Sequence, residues 1–265
     1  MKADDIIIYV LVVIYNKPCA NSSTCSHLEG IDGVKVVIID NSTREYGNLE
    51  YANEKGWDFI GMRDNVGLSK AYNKAVEHIT DNEAFMCLFD DDSEIDEKYF
   101  TALREALAKS EDTKIFIPYT YDQYGLFSPS VEIRQKVRRA KNISEVNPYN
   151  ITAINNGMAI KREVFENYRY NEDYFLDYVD HAFLRDMRNM GVKISMMDAK
   201  LYHQTMFASD DSTKENVALR FKIFRKDLKT FYCNSFKGWL LYFEMIFRMK
   251  VNFTLRFRSI KMMFI

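Results

Sequence analysis

Three aspartates in a row, Asp90, Asp91 and Asp92, follow directly on the apolar run Phe85–Phe89. Carboxylate oxygens suit hard cations such as magnesium or manganese, which commonly bridge protein carboxylates to substrate phosphates. In an extended segment Asp90 and Asp92 project to one side and Asp91 to the other, so a strand running into the cluster offers one metal two ligands. An isolated acidic triplet equally fits a solvated turn. The apolar strand before it favours the metal, because it fixes the carboxylates at a ligand-bearing sheet edge. A second acidic stretch runs from Glu172 to Asp180 and sets Asp177 and Asp180 among aromatics, just before a helical pattern. A partly desolvated carboxylate there can act as a general base; one of the two can also simply cap the helix and complement its dipole. His203 becomes a ligand only if an acidic site lies close to it.

These groups need elements to position them. Residues 6–14, 35–39, 58–62 and 84–89 read as strands, and 68–79 and 96–109 as helices with apolar residues at three- and four-residue spacing. Ser69 and Asp96 stand where short polar side chains cap free helix amides. Buried strands alternating with helices predict an α/β fold with a mostly parallel sheet and ligands at the strand C-terminal ends. Polar residues collect at those ends: Tyr15-Asn16, Asp40-Asn41-Ser42 and Asp90–Ser93. Residues 119–150 lose periodicity and read as a long, partly mobile connection. A second ordered section spans 151 to about 204 with a strand at 193–197, and a polar linker at 208–216 leads into a tail.

Composition agrees with a folded body. Hydrophobic residues at 47% and charged residues at 28% exclude a disordered chain. Cys19, Cys25, Cys87 and Cys233 show no zinc or redox spacing and read as reduced thiols. The apolar run near the N-terminus is too short to span a bilayer and is preceded by acids, which suits a buried strand better than a signal peptide. The formal charge of −2 conceals an asymmetry: from Lys214 onward 12 basic residues face 3 acidic ones, net +9, and the remainder is −11. The acidic body disfavours nucleic acid as a partner. In residues 236–265 aromatics and cations mix too closely for a spanning helix, so this stretch fits either a helix lying in an anionic membrane interface or one packed on protein.

Taken in order, these segments resemble the inverting family 2 glycosyltransferases of the GT-A fold, especially rhamnosyltransferase-like and galactofuranosyltransferase-like members. The resemblance covers roughly residues 6–204. It rests on Tyr15-Asn16, Asp40-Asn41-Ser42, the run Asn65 to Asn73, Asp90-Asp91-Asp92, Asn156-Gly157, the stretch Phe175 to Asp180, and His203. It implies a catalytic domain over residues 1–207, with nucleotide binding in 1–117 and acceptor and base in 151–207, followed by a basic helical tail over 217–265. Tyr15, Asn16, Asp40, Asn65, Gly67, Asn73 and Asp91 would line the donor nucleotide. Asp90, Asp92 and His203 would hold magnesium or manganese, Asp180 would be the base, and Asn156, Gly157 and Asp177 would face the acceptor. Ala182 and Asp186 depart from the family pattern, which often has an acid and an arginine there, and a glycine common soon after the histidine is missing from Gln204-Thr205-Met206.

The resemblance implies transfer of a sugar, such as rhamnose or galactofuranose, from a nucleotide-diphosphate donor to a saccharide or lipid-linked saccharide, with inversion. That activity would belong to capsule or O-antigen type polysaccharide synthesis, in the cytoplasm or at the inner face of the plasma membrane, with a homo-oligomer left open. The competing readings are a nucleotidyltransferase and a non-enzymatic membrane-binding module.

Overall fold

A computed structural model describes residues 6–202 and 213–264. The strands β1 (Ile8–Ile14), β2 (Lys35–Asp40), β3 (Asp58–Gly61) and β4 (Phe85–Phe89) form where the sequence predicts them. With β5 (Ile115–Asp122), β6 (Gly125–Ser128), β10 (Met158–Lys161) and β11 (Ile194–Tyr202) they build an eight-stranded sheet. Its order is β11-β5-β10-β4-β1-β2-β3, with β6 on β5. The β3–β2–β1–β4 half is parallel, β10 runs antiparallel between β4 and β5, and β11 is parallel to β5.

Side chains alternate between the two faces. On β4, Phe85, Cys87 and Phe89 enter one core with residues of α1 (Ser23–Leu28), α2 (Asn48–Lys55) and α4 (Glu97–Lys109). Met86 and Leu88 enter the other, beneath α3 (Leu68–His78) and α5 (Val179–Asn189). Burial on both faces explains why β1, β2 and β4 lack polar alternation. Continuing the same alternation past Phe89 directs Asp90 toward the α3–α5 face and Asp91 toward α1.

Three expectations change. Residues 119–150 are not a bare connection: they carry the end of β5, β6, β7 (Ser130–Ile133) and β8 (Lys136–Arg139), and β7 and β8 form a small antiparallel sheet with β9 (Ile151–Thr152). These strands of two to four residues offer too few positions for a period to show. Asp96 does cap α4 through the amides of Lys98 and Tyr99, but Ser69 caps nothing. Its side chain is fully buried and Gly67 occupies the cap position of α3. The tail, finally, is two helices, α6 (Lys214–Tyr232) and α7 (Phe236–Phe257), and both pack on the body. Phe221, Leu228, Tyr242, Ile246 and Phe253 join the core that α3 and α5 share. The linker at 208–216 lies largely outside the described residues.

Candidate active site

The C-terminal ends of β1, β2 and β4 meet at one edge of the sheet, held by side-chain hydrogen bonds. Both oxygens of Asp40 are engaged, one by the Ser42 amide at 3.0 Å and one by Asn48 at 3.0 Å. Asn16, in a left-handed conformation, accepts from the Thr43 amide and hydroxyl and donates its own amide to Ser42. Asn41 donates to Asn65 and accepts from the Val66 amide, and Asn65 accepts from the Gly67 amide. Tyr15, next to Asn16, is 48% exposed. The sequence-predicted donor residues Tyr15, Asn16, Asp40, Asn65 and Gly67 thus come together. Asn73 does not stand with them: it is buried, and its amide binds the Tyr170 backbone and Glu172.

The aspartate triplet is held from α1. Ser22 and Thr24 donate to the carbonyls of Asp91 and Asp90 at 2.6 and 2.5 Å, and Thr24 accepts from the Ser93 amide at 2.8 Å. Lys17 pairs with Asp91 at 2.8 Å, which places Asp91 apart from its two neighbours. Asp90 has an unusual environment. Desolvation, then the charges of Asp92, Asp91 and Asp180, raise its pKa to about 7. The buried Tyr72 hydroxyl also feels both Asp90 and Asp180 and hydrogen bonds to Asn155. Asp180 of α5 and Asp90, the residue after β4, are therefore near enough for the charge of one to act on the other, although 90 residues separate them in the chain.

Asp180 lies in the first turn of α5, where Tyr178, not an acid, holds the cap position in a left-handed conformation. The Asp180 carboxylate accepts the His181 amide at 2.7 Å, and its side chain is 17% exposed. Asp177 forms a two-pronged ion pair with Arg220 of α6. This pairing ties Asp177 to α6. Asn156 and Gly157 also serve the scaffold. Asn156 is 2% exposed and accepts from Ser93 at 2.7 Å. Gly157 adopts φ 77°, where an added Cβ would lie 2.3 Å from Leu201 and 2.9 Å from Pro118. Asn156 thus braces the residue after the triplet, and the Gly157 amide donates to the Leu88 carbonyl of β4 at 2.7 Å.

A carboxyl whose pKa is raised by burial and by neighbouring carboxylates, as that of Asp90 is, fits a divalent cation, which replaces the repulsion with attraction. Asp90 and Asp92 are the candidates to hold it. His203, the expected third ligand, lies outside the described residues, and among those described no group of three His, Cys, Asp or Glu side chains forms a metal site. Two carboxylates together with donor phosphates suffice for magnesium-type binding. Sequence reasoning missed Lys17, Ser22, Thr24, Tyr72, Asn155 and Asp227. The hydroxyl-rich Ser22-Ser23-Thr24 offers a faint signal; Asp227, an acid set among the basic residues of the second half of α6, offers none.

The profile of "Glycosyl transferase family 2" matches residues 9–169. A relative in Shigella flexneri, the dTDP-rhamnosyl transferase RfbF, is 26% identical over 203 residues, covering 74% of this chain and 68% of its own. Among solved structures, S. aureus TarS 1-349 superimposes with a TM-score of 0.55 at 16% identity, over 87% of this chain and 73% of that one. GalNAc-T7 with UDP, GalNAc and Mn2+ gives 0.59 at 12%, over 82% and 48%. The mannosyltransferase PcManGT from Pyrobaculum calidifontis, in complex with GDP-Man and Mn2+, gives 0.57 at 13%, over 88% and 66%. A profile match across more than half of the chain, on a sheet whose strand ends gather the expected acids, makes this protein a member of glycosyl transferase family 2 with the GT-A fold.

Proposed function

We propose that the protein transfers a sugar, with rhamnose the leading choice, from a nucleotide-diphosphate donor to a hydroxyl of a saccharide acceptor in one inverting displacement. The single observation that carries this is that the charges of Asp92, Asp91 and Asp180 all act on the Asp90 carboxyl, which puts the candidate base beside the cluster of acids. Tyr15, Asp40 and the 65–67 turn form the wall that receives base and ribose. Asp90 and Asp92 would hold magnesium or manganese, which neutralises charge on the departing diphosphate. Asp180 accepts the proton of the attacking hydroxyl, and its helix-start position fixes the carboxylate through the His181 amide. RfbF supports the choice of dTDP-rhamnose.

Family membership leaves the nucleotidyltransferase and the non-enzymatic readings without support. The test is a thermal-shift panel of UDP-, GDP- and dTDP-sugars with and without manganese, followed by the anomeric configuration of the product. Stabilisation by dTDP-rhamnose that needs manganese and vanishes in Asp92→Ala supports the reading; metal-independent stabilisation, or retention of configuration, contradicts it.

The same proposal places the enzyme at an anionic membrane surface, with a lipid-linked saccharide as acceptor. No described helix is long and apolar enough to cross a bilayer. One face of α7 nevertheless exposes Phe236, Leu240, Phe243 and Phe247 at 82, 56, 58 and 62%. Lys237 and Arg248 flank this face, and the Lys229 ammonium sits 5.6 Å from the Trp239 ring beside it. An apolar stripe edged by cations matches anionic lipid. Deleting 236–265 would remove core residues Tyr242, Ile246 and Phe253, so surface substitution is the cleaner probe. Phe243→Ser with Phe247→Ser should abolish sedimentation with phosphatidylglycerol vesicles; equal sedimentation of the double variant would sink the idea.

A further inference from the structure

The residues just before Asp180 do not hold their own shape. Phe175, Leu176 and Asp177 point three successive backbone amides at one carboxylate, that of Asp227 on α6, at 3.0, 2.8 and 2.9 Å. Asp227 is fully buried. Consecutive amides converging on an anion form a nest, and charge-assisted bonds of this kind are stronger than neutral ones. A buried carboxylate in the middle of a basic helix is costly unless it is paired in this way.

The rest of the turn is held by the same helix. Arg220, two helical turns before Asp227, grips the Asp177 side chain with both arms. The Tyr178 ring, at the left-handed residue that starts α5, packs on Phe231 at 4.7 Å and Phe224 at 6.0 Å. Residues 175–178 therefore lean on α6 at every position, and Asp180 follows two residues later.

The opposite side of the turn touches the donor wall. The Leu68 amide donates to the Phe175 carbonyl at 2.6 Å. Gly67 comes so close that an added Cβ would sit 2.6 Å from that carbonyl oxygen. Gly67 in turn is tied to Asn65 and, through it, to Asn41 at the end of β2.

We propose that α6 completes the active site: Asp227 and Arg220 are positioning residues that clamp the 175–178 turn between α6 and the Gly67 turn, setting Asp180 at a fixed place relative to the donor. The inference rests on the assignment of Asp180 as the base, and it adds that the geometry of this base is supplied from nearly fifty residues downstream. A carboxylate displaced by about 1 Å loses much of its catalytic advantage, so a clamp of this kind should be read in turnover more than in donor affinity.

The experiment combines hydrogen–deuterium exchange on the full chain with hydrolytic turnover, in which water takes the sugar and dTDP-rhamnose gives dTDP and rhamnose, in the presence of manganese. In Asp227→Ala, exchange across 174–180 should rise at least tenfold while peptides from β1 and β4 keep wild-type protection. Turnover should fall more than tenfold, with KM for the donor within twofold. Asp227→Asn, which keeps one acceptor oxygen, should fall between Asp227→Ala and wild type, a grading that general destabilisation well below the melting temperature would not give. If Asp227→Ala does not fold, Asp227→Asn and Arg220→Lys carry the same comparison. Unchanged protection of 175–178 in a folded Asp227 variant overturns the clamp, as does a loosened turn with wild-type kcat. Wild-type turnover in Asp180→Asn would instead overturn the base, leaving the exchange result to judge the clamp by itself.

Discussion

The two walls of the site are built in opposite ways. The donor wall is local: β1, β2 and β4 end side by side in parallel, and short polar residues within a few positions of each strand end bond to one another. Asn16 with Thr43, Asp40 with Asn48, and Asn41 with Asn65 are examples. The base wall is assembled from afar. Asp180 is placed by a turn whose amides end on Asp227 and whose acid ends on Arg220. On the proposed function the contrast is a division of labour, in which the sheet edge receives the nucleotide and a separately supported turn sets the proton acceptor.

The sharpest way to break this comparison is at the one point where the walls touch. Gly67 has φ 86° and ψ 165°, a region essentially reserved for glycine. Gly67→Ala adds that strain to a contact of 2.6 Å with a backbone oxygen. It should cost more than about 3 kcal/mol of stability, measurable as a lowered denaturant midpoint, and an unchanged midpoint would show that the contact is loose. The next effect concerns charge. The Asp90 pKa of about 7 lies above the ordinary value of 3.8, so the native metal-free chain keeps a proton that the unfolded chain releases. Stability is then fullest at acidic pH and drains away as pH rises through 7, by up to a few kcal/mol. Melting temperatures of the metal-free protein from pH 5 to 8 should fall accordingly, and saturating manganese should flatten the trend. A rising trend would mean that the aspartates are not crowded. The smallest effect sharpens the scaffold side. Asn156→Ala removes the buried partner of Ser93 and should cost about 1–2 kcal/mol, with manganese affinity weakened; stability equal to wild type would make the Ser93 bond incidental.

What could be read from the sequence follows this division. Strands buried on both faces announce themselves as unbroken apolar runs, so β1, β2 and β4 and the polar clusters at their ends were legible. The cap at Asp96 was legible too, because a cap acts on amides two and three residues away. Ser69 shows the limit of the same rule: it lies one residue past the true helix start, where Gly67 provides a backbone conformation that no serine could. The contacts of Asn156 with Ser93 and of Asp177 with Arg220 are not legible in the sequence, because polarity and position do not reveal a partner far along the chain. Asp227 and Arg220 act across some fifty residues, a pairing that no local pattern encodes.

The most direct test of the account is Asp180→Asn, which keeps the size and the His181 amide contact but removes the proton acceptor. Turnover of dTDP-rhamnose and manganese-dependent donor binding would be measured on the same preparation. The account predicts donor binding within twofold of wild type and turnover lower by about 10²- to 10⁴-fold. Turnover at the wild-type rate would contradict it.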